Sequence, residues 1–318
     1  MDFKVGNHSN SGNASEPSSS GSPGLPHGPV FGPAANVAGE EIDAQRALYG
    51  SERPSRLRDY LVFGALLTAT LTTTFLAGGF LFAVSLILIL GSHEFGHYWA
   101  SRKNRVNASL PYFIPAPPMF IAGTFGAFIR IKDPIPDRRV MMEIGAAGPI
   151  AGFIVAIPTL IAGLFMSRVT EGVHLRGLSF GSSIVLSVFS RMILGVDPLS
   201  PDVNIELHPV AFAGWIGMFV TALNLLPIGQ LDGGHIIYSL FRVRYNILAK
   251  VFFVLLFPLG YYWTGWWFWA LLIALFGFQH PPLMDESAVL EKRHKIMGYI
   301  AVIIFLLTFT PIPFTVVM

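Results

Sequence analysis

The sequence contains no cysteine. Disulfide staples, thiolate nucleophiles and cysteine-ligated zinc are therefore excluded, and any metal must be held by His, Asp or Glu. Charge is nearly as scarce. Only 13% of the 318 residues are Asp, Glu, Lys or Arg, against about a quarter in soluble globular domains. A net charge of +2 gives no electrostatic footprint for a nucleic-acid partner. What is abundant is apolar: 53% of the chain is hydrophobic and the mean hydropathy is +0.57. These values define an all-α polytopic membrane protein whose first partner is the lipid bilayer.

Residues 1–48 differ from the rest. They are rich in Ser, Gly, Pro and Asn with almost no apolar runs, so they cannot bury enough surface to offset chain entropy and read as disordered. The basic start and apolar stretch of a secretory signal are missing. Glu16, Glu40, Glu41 and Asp43 argue against a transit peptide. His8 and His27 in this tail read as idle. Residues 49–318 form the integral membrane domain.

A bilayer crossing takes about 20 apolar residues. Tyr60–Phe80 and Leu81–Ser101 qualify, with "AGGF" (Ala77–Phe80) as the turn between them. Ala146–Met166 and Val210–Ile228 follow. Leu248–Phe278 is too long for one span and breaks near Gly260 and "WTGWW", and Ile296–Phe314 is last. Leu178–Leu194, with Arg191 and several serines, reads as an interfacial helix in which Arg191 pairs with Asp197 or a lipid phosphate. The expected total is six or seven transmembrane helices.

Basic residues orient this bundle. Arg53, Arg56, Arg58, Arg102, Lys103, Arg105, Arg130, Lys132, Arg138, Arg139, Arg242, Arg244, Lys250, Lys292, Arg293 and Lys295 fall on one side if the spans alternate. The opposite side has Arg168, Arg176 and Arg191 beside Asp197, Asp202 and Glu206. The first side is expected to be cytoplasmic. The connection from Asn107 to Glu143 lies there. Its "SLPYFIPAPPMF" cannot continue a helix, and Phe128–Ile131, bounded by glycines and Pro134, predicts a short membrane-associated strand or hairpin.

The second run ends in "HEFGH", His93 to His97. On a helix, residues four apart share a face. His93 and His97 can thus bind one zinc ion, with Glu94 placed as general base toward a water on it. Two histidines at a helix end could also merely snorkel. Catalytic zinc takes about three protein ligands, so a third is needed. "NLLPIGQLDGGH", Asn224 to His235, ends the fourth span on the same side. A lone carboxylate at membrane depth is costly, and pairing Asp232 with a metal removes that cost.

These two stretches resemble the motifs of the site-2 protease family of intramembrane zinc metalloproteases. The family's HExxH stands as "HEFGH", and its Asn-x-x-Pro followed by Leu-Asp-Gly stands in "NLLPIGQLDGGH". "GAAGPIAG" (Gly145–Gly152) is similar to the start of its core helix. The resemblance covers about Leu81 to Leu240. It implies zinc held by His93, His97 and Asp232, with Glu94 as catalytic acid/base. It further implies hydrolysis of a peptide bond within or near a transmembrane segment of a membrane-tethered protein substrate. No stretch is long and polar enough for the PDZ domain or the cystathionine-β-synthase-type pair that many members carry, which suggests a compact form.

Surrounding residues are read more plainly. Asn224 either anchors substrate backbone and oxyanion or caps the broken helix. His235 is either a support for the Asp232 carboxylate or a helix-start residue. Glu143 reads as an interface charge and His208 as a loop residue. The glycines of "GAAGPIAG" read as close helix packing. An ion transporter built on the same three ligands has no use for Glu94, and no internal repeat supports one. A silent scaffold is disfavoured by intact motifs. A prenyl-peptide protease would use Glu in place of Asp232. Nothing in the sequence fixes an oligomeric state. The absence of a clear transit peptide favours a bacterial cell membrane.

Overall fold

The computed structural model describes residues 56–117, 119–171, 177–200, 203–276 and 283–317. The tail 1–48 with His8 and His27, together with Arg53, Arg176 and Asp202, lies outside the described residues.

Helix α1 (Arg56–Lys103) is a hairpin. Gly79 leaves helical geometry at φ 80°, ψ −178°, backbone that glycine adopts at little cost. Phe63 of the first arm and Gly91 of the second meet the same Phe113. The Phe63 and Phe113 rings are 6.3 Å apart, and a Cβ at Gly91 would lie 3.8 Å from the Phe113 ring. In a straight helix those two positions would be about 40 Å apart. The chain therefore reverses inside "AGGF", as the sequence leads one to expect.

A two-stranded antiparallel ribbon, β1 (Tyr112–Pro115) with β2 (Thr124–Phe128), runs alongside this hairpin. Near its base Lys132 Nζ is 3.8 Å from Asp59. At its tip Gly123, at φ +64°, sits so close to the Thr73 carbonyl that a Cβ would be 2.4 Å from it. Asp59 and Thr73 are about 21 Å apart along a helix axis, so the ribbon re-enters the depth of the helices. The expected strand at Phe128–Ile131 is displaced. The strand ends at Phe128, and Ile131 makes only an isolated bridge to Ala108. The positive φ of Gly123 and Gly126 sets this earlier return.

Helix α2 (Arg138–Phe165) is central, packing against α1, α4 (Pro209–Asn224), α5 (Asp232–Phe241) and α8 (Lys292–Thr308). It starts eight residues before the expected span. Asp137 caps it by accepting from the Arg139 and Val140 N–H groups at 2.8 and 3.0 Å. Burial alone would raise the Asp137 pKa, but hydrogen bonds from Arg139 and Val140 outweigh it and hold the carboxyl below its ordinary value. Phe82, Leu86, Leu160, Leu164 and Trp215 form the main core where α1, α2 and α4 meet. His208 is the N-cap of α4, its Nδ1 accepting from Val210, where a plain loop residue was expected.

Beyond α2, β3 (Arg168–Glu171) pairs with β5 (Val203–Glu206), and β4 (Gly177–Phe180) with β6 (Phe314–Val317). The fold is thus mostly helical, not all-α. Four-residue strands are too short for a readable period. Helix α3 (Ile184–Leu194) lies between β4 and β5, and Arg191 forms the expected ion pair with Asp197. The long apolar run splits into α6 (Tyr245–Tyr262) and α7 (Gly265–Phe276) at the aromatic turn, as expected. Among the described residues, two helices qualify as membrane spans by length and composition, Leu57–Lys103 and Arg138–Phe165, while Ile184–Leu194, Pro209–Asn224 and Gly265–Leu275 are apolar but shorter. The 16 residues of α4 give only about 24 Å, short of a 30 Å hydrocarbon core. Helix lengths alone therefore do not yield six or seven crossings.

Candidate metal centre

His93 and His97 stand one turn apart on the second arm of α1, their rings 4.9 Å apart between centroids. Asp232 opens α5. Its Oδ2 lies 3.2 Å from His93 Nε2 and 3.2 Å from His97 Nε2. One ligand atom from each of the three residues falls within 4.8 Å of the others. The two motifs, 139 residues apart, therefore converge as the sequence argument requires.

Local chemistry explains the approach of Asp232. A Cβ at Gly233 would be 2.0 Å from the Leu225 carbonyl, and one at Gly234 would be 2.3 Å from the Gly229 carbonyl. Only glycines let the first turn of α5 press against the loop that leaves α4. That loop is pinned by Tyr245, whose hydroxyl donates to the Gly229 carbonyl at 3.2 Å.

His97 Nδ1 lies 2.8 Å from the Ile144 carbonyl of α2. A carbonyl only accepts, so Nδ1 carries a proton, and Nε2 is the nitrogen that would be offered to a metal. Sequence reasoning missed this anchor. A backbone carbonyl has no residue signature, and only the glycine-rich stretch hinted that α2 comes so near. Those glycines pack as expected, and what they pack against is the site. A Cβ at Gly148 would be 2.1 Å from His97 Nε2, one at Gly152 would be 3.1 Å from His93 Cβ, and one at Gly145 would be 3.1 Å from His235 Cβ.

Glu94 is buried at 5% exposure. It lines a cavity of about 230 Å³ with both histidines, Asp232 and Asn224, and Ile129, which lines the same cavity with Phe128, hydrogen-bonds Glu94 through its backbone. Asn224 Nδ2 is 3.3 Å from His93 Nε2. The C-cap of α4 is Leu225, so Asn224 faces the site and does not cap the helix. His235 lines the same cavity from the first turn of α5. Two imidazoles and a carboxylate, all borne on packed helices, suit zinc as donors and leave a fourth position for water.

Residues 81–261 match the sequence profile of Peptidase family M50, somewhat beyond the stretch that the motifs delimit. The Arabidopsis thaliana protein named "Probable zinc metalloprotease EGY1, chloroplastic" is 33% identical over 241 residues, 72% of this chain and 42% of that protein. "Probable zinc metalloprotease EGY2, chloroplastic", also of Arabidopsis thaliana, is 30% identical over 231 residues, 71% of this chain and 41% of that protein. The EGY1 protein of Oryza sativa subsp. japonica is 37% identical over 153 residues, 47% of this chain and 26% of that protein. The chain spans about two fifths of the length of the two Arabidopsis relatives. No solved structure matches it. With the profile covering more than half of its length and both motifs inside that stretch, the chain belongs to peptidase family M50, the site-2 protease family that its motifs resemble.

Proposed function

We propose that this chain is an intramembrane zinc metalloendopeptidase, cutting a membrane-tethered protein within or near a transmembrane segment. One observation carries the reading: His93 Nε2 and His97 Nε2 converge on the same Asp232 oxygen with Glu94 buried beside them. In this reading His93, His97 and Asp232 hold the zinc. When bound, the ion supplies a Lewis acid and a more acidic water. Glu94 takes the proton of the attacking water and returns it to the leaving amine. Asn224, whose amide faces the site, donates to the oxyanion or to substrate backbone. His235 borders Asp232 and keeps that carboxylate oriented.

A substrate helix has its carbonyls bonded internally and must unwind before it is cut. Among the described residues β2 pairs only with β1. Its other edge lies at membrane depth, where unpaired N–H and C=O groups are costly. The unwound segment would fill that edge by strand addition, beside Phe128 and Ile129 in the cavity wall. Ala127→Pro, inside β2, is then expected to abolish most cleavage while zinc content stays unchanged. Undiminished cleavage by this variant would remove the strand from the mechanism.

The domain limits follow the same reading: a membrane domain over 49–318, a catalytic core over about 81–240, and the tail 1–48 outside both. Six or seven crossings require the shorter helices α4, α6, α7 and α8 to traverse with help from adjoining loops. Lys103, Lys132, Arg139 and Arg293 pair with acidic groups around the end of the bundle that carries the site. The positive-inside rule then puts the site toward the cytoplasmic face or its equivalent. The names of the relatives place those proteins in chloroplasts, which lends nothing to a bacterial membrane for this one.

Zinc content tests the reading without a known substrate. About one ion per chain is expected in the detergent-purified protein, lost from His97→Ala and from Asp232→Ala. Zinc retained in full by Asp232→Ala would separate the two motifs and overturn the site.

A further inference from the structure

Glu143 is buried, although the sequence gives no reason to place it deeper than the membrane interface. Its side chain is 9% exposed and collects partners from two other helices. Lys103 Nζ donates to Oε2 at 2.9 Å and Asn104 Nδ2 to the same oxygen at 3.0 Å. Lys103 ends α1 and Asn104 directly follows it. From the first turn of α8, His294 Nε2 lies 3.4 Å from Oε1 and Arg293 3.8 Å from it. His294 is 1% exposed. A buried carboxylate is stable only when paired and hydrogen-bonded, so this one fastens α1, α2 and α8 together.

The next residue along α2 is Ile144, whose carbonyl receives the His97 Nδ1 proton. His97 lies on α1, less than two turns before Lys103. The Glu143 cluster and the Ile144–His97 bond are therefore neighbouring ties between the same two helices. If the first slackens, α2 can slide or turn on α1, and the carbonyl that orients the His97 ring moves with it. At such hydrogen-bonded supports, substitution typically weakens metal binding about 10–100-fold.

We propose that Glu143 is a positioning residue for the metal centre, and that α8 supports the centre through His294 and Arg293. This rests on the metal reading above. It gives the last helix, which lies outside the stretch matched to the family, a part in holding the His97 ligand.

The test measures zinc affinity by chelator competition and the visible spectrum of the cobalt-loaded chain, for the unmodified protein, Glu143→Gln and His294→Leu. His97→Ala serves as the control for loss of the ligand itself. Glu143→Gln is expected to weaken zinc binding about 10–100-fold and to shift the cobalt spectrum, with the melting temperature lowered by only a few degrees. His294→Leu should shift both in the same direction. A merely structural role would lower the melting temperature and leave affinity and spectrum of the folded protein alone. Should Glu143→Gln fail to fold, Asn104→Ala removes one neutral donor and is expected to give a smaller loss of affinity in the same direction. Equal zinc affinity and an unchanged spectrum in the folded variants would overturn the proposal alone. An unmodified chain that binds no zinc, or His97→Ala that binds it fully, would overturn the metal reading and this inference with it.

Discussion

Glu94→Gln is expected to lose about 10²–10⁴-fold in cleavage rate, the usual contribution of a positioned general acid/base, while retaining its zinc. Glutamine keeps the length and shape of the side chain but cannot take the proton of an attacking water. The metal ligands are His93, His97 and Asp232 in this reading, so the ion content should match that of the unmodified chain. The measurement pairs single-turnover cleavage of a membrane-tethered reporter with zinc analysis of the same preparation. Cleavage close to the unmodified rate would take Glu94 out of the chemistry. Zinc lost together with activity would instead assign it to the metal's own shell.

The second large effect is expected at a residue with no side chain to offer the chemistry. Gly148→Ala adds a single methyl group, yet its Cβ would lie 2.1 Å from His97 Nε2 and 2.4 Å from two ring carbons. The ring must leave its place, break its bond to the Ile144 carbonyl, or push α2 from α1. Overpacking of this kind typically costs about 1–3 kcal/mol, which the whole fold can survive. The metal site cannot absorb it so easily, because the displaced nitrogen is the one aimed at Asp232. Gly148→Ala should therefore give a folded chain with zinc affinity lowered about 100-fold or more, at the upper end of what second-sphere damage does. Gly64→Ala is the matched control, since nothing lies within 4 Å of a Cβ there. Normal zinc binding by Gly148→Ala would show that the His97 ring has more freedom than its neighbours allow.

How far the sequence could be read depends on range. The pair His93 and His97 needed only helical spacing, and Glu94 only adjacency. Asp232 was legible because a carboxylate at membrane depth demands a partner, and the glycines after it signal close approach. The reversal at Gly79 was legible from two adjacent glycines in an apolar run. Three things were not legible. The Ile144 carbonyl that orients His97 leaves no mark in a sequence. The gathering of Lys103, Asn104, Arg293 and His294 around Glu143 joins three helices whose pairing no period reveals. The ribbon's true register was set by the positive φ of Gly123 and Gly126, and the two far ribbons pair segments that are far apart in the chain.

The separation of 139 positions between His93 and Asp232 bears on when the chain could acquire a metal. While it is being made, the histidine pair exists long before the aspartate does. Until α2 and α4 have docked and α5 has closed on their ends, two imidazoles without a carboxylate form an incomplete and weak site. Joining the ends of so long a loop is among the slower entropic tasks in assembly, and metal binding is linked to whatever step completes the ligand set. In the metal reading, tight zinc uptake would then be a clock for the last stage of folding, and the nascent chain would lack its full ligand set until the bundle is whole.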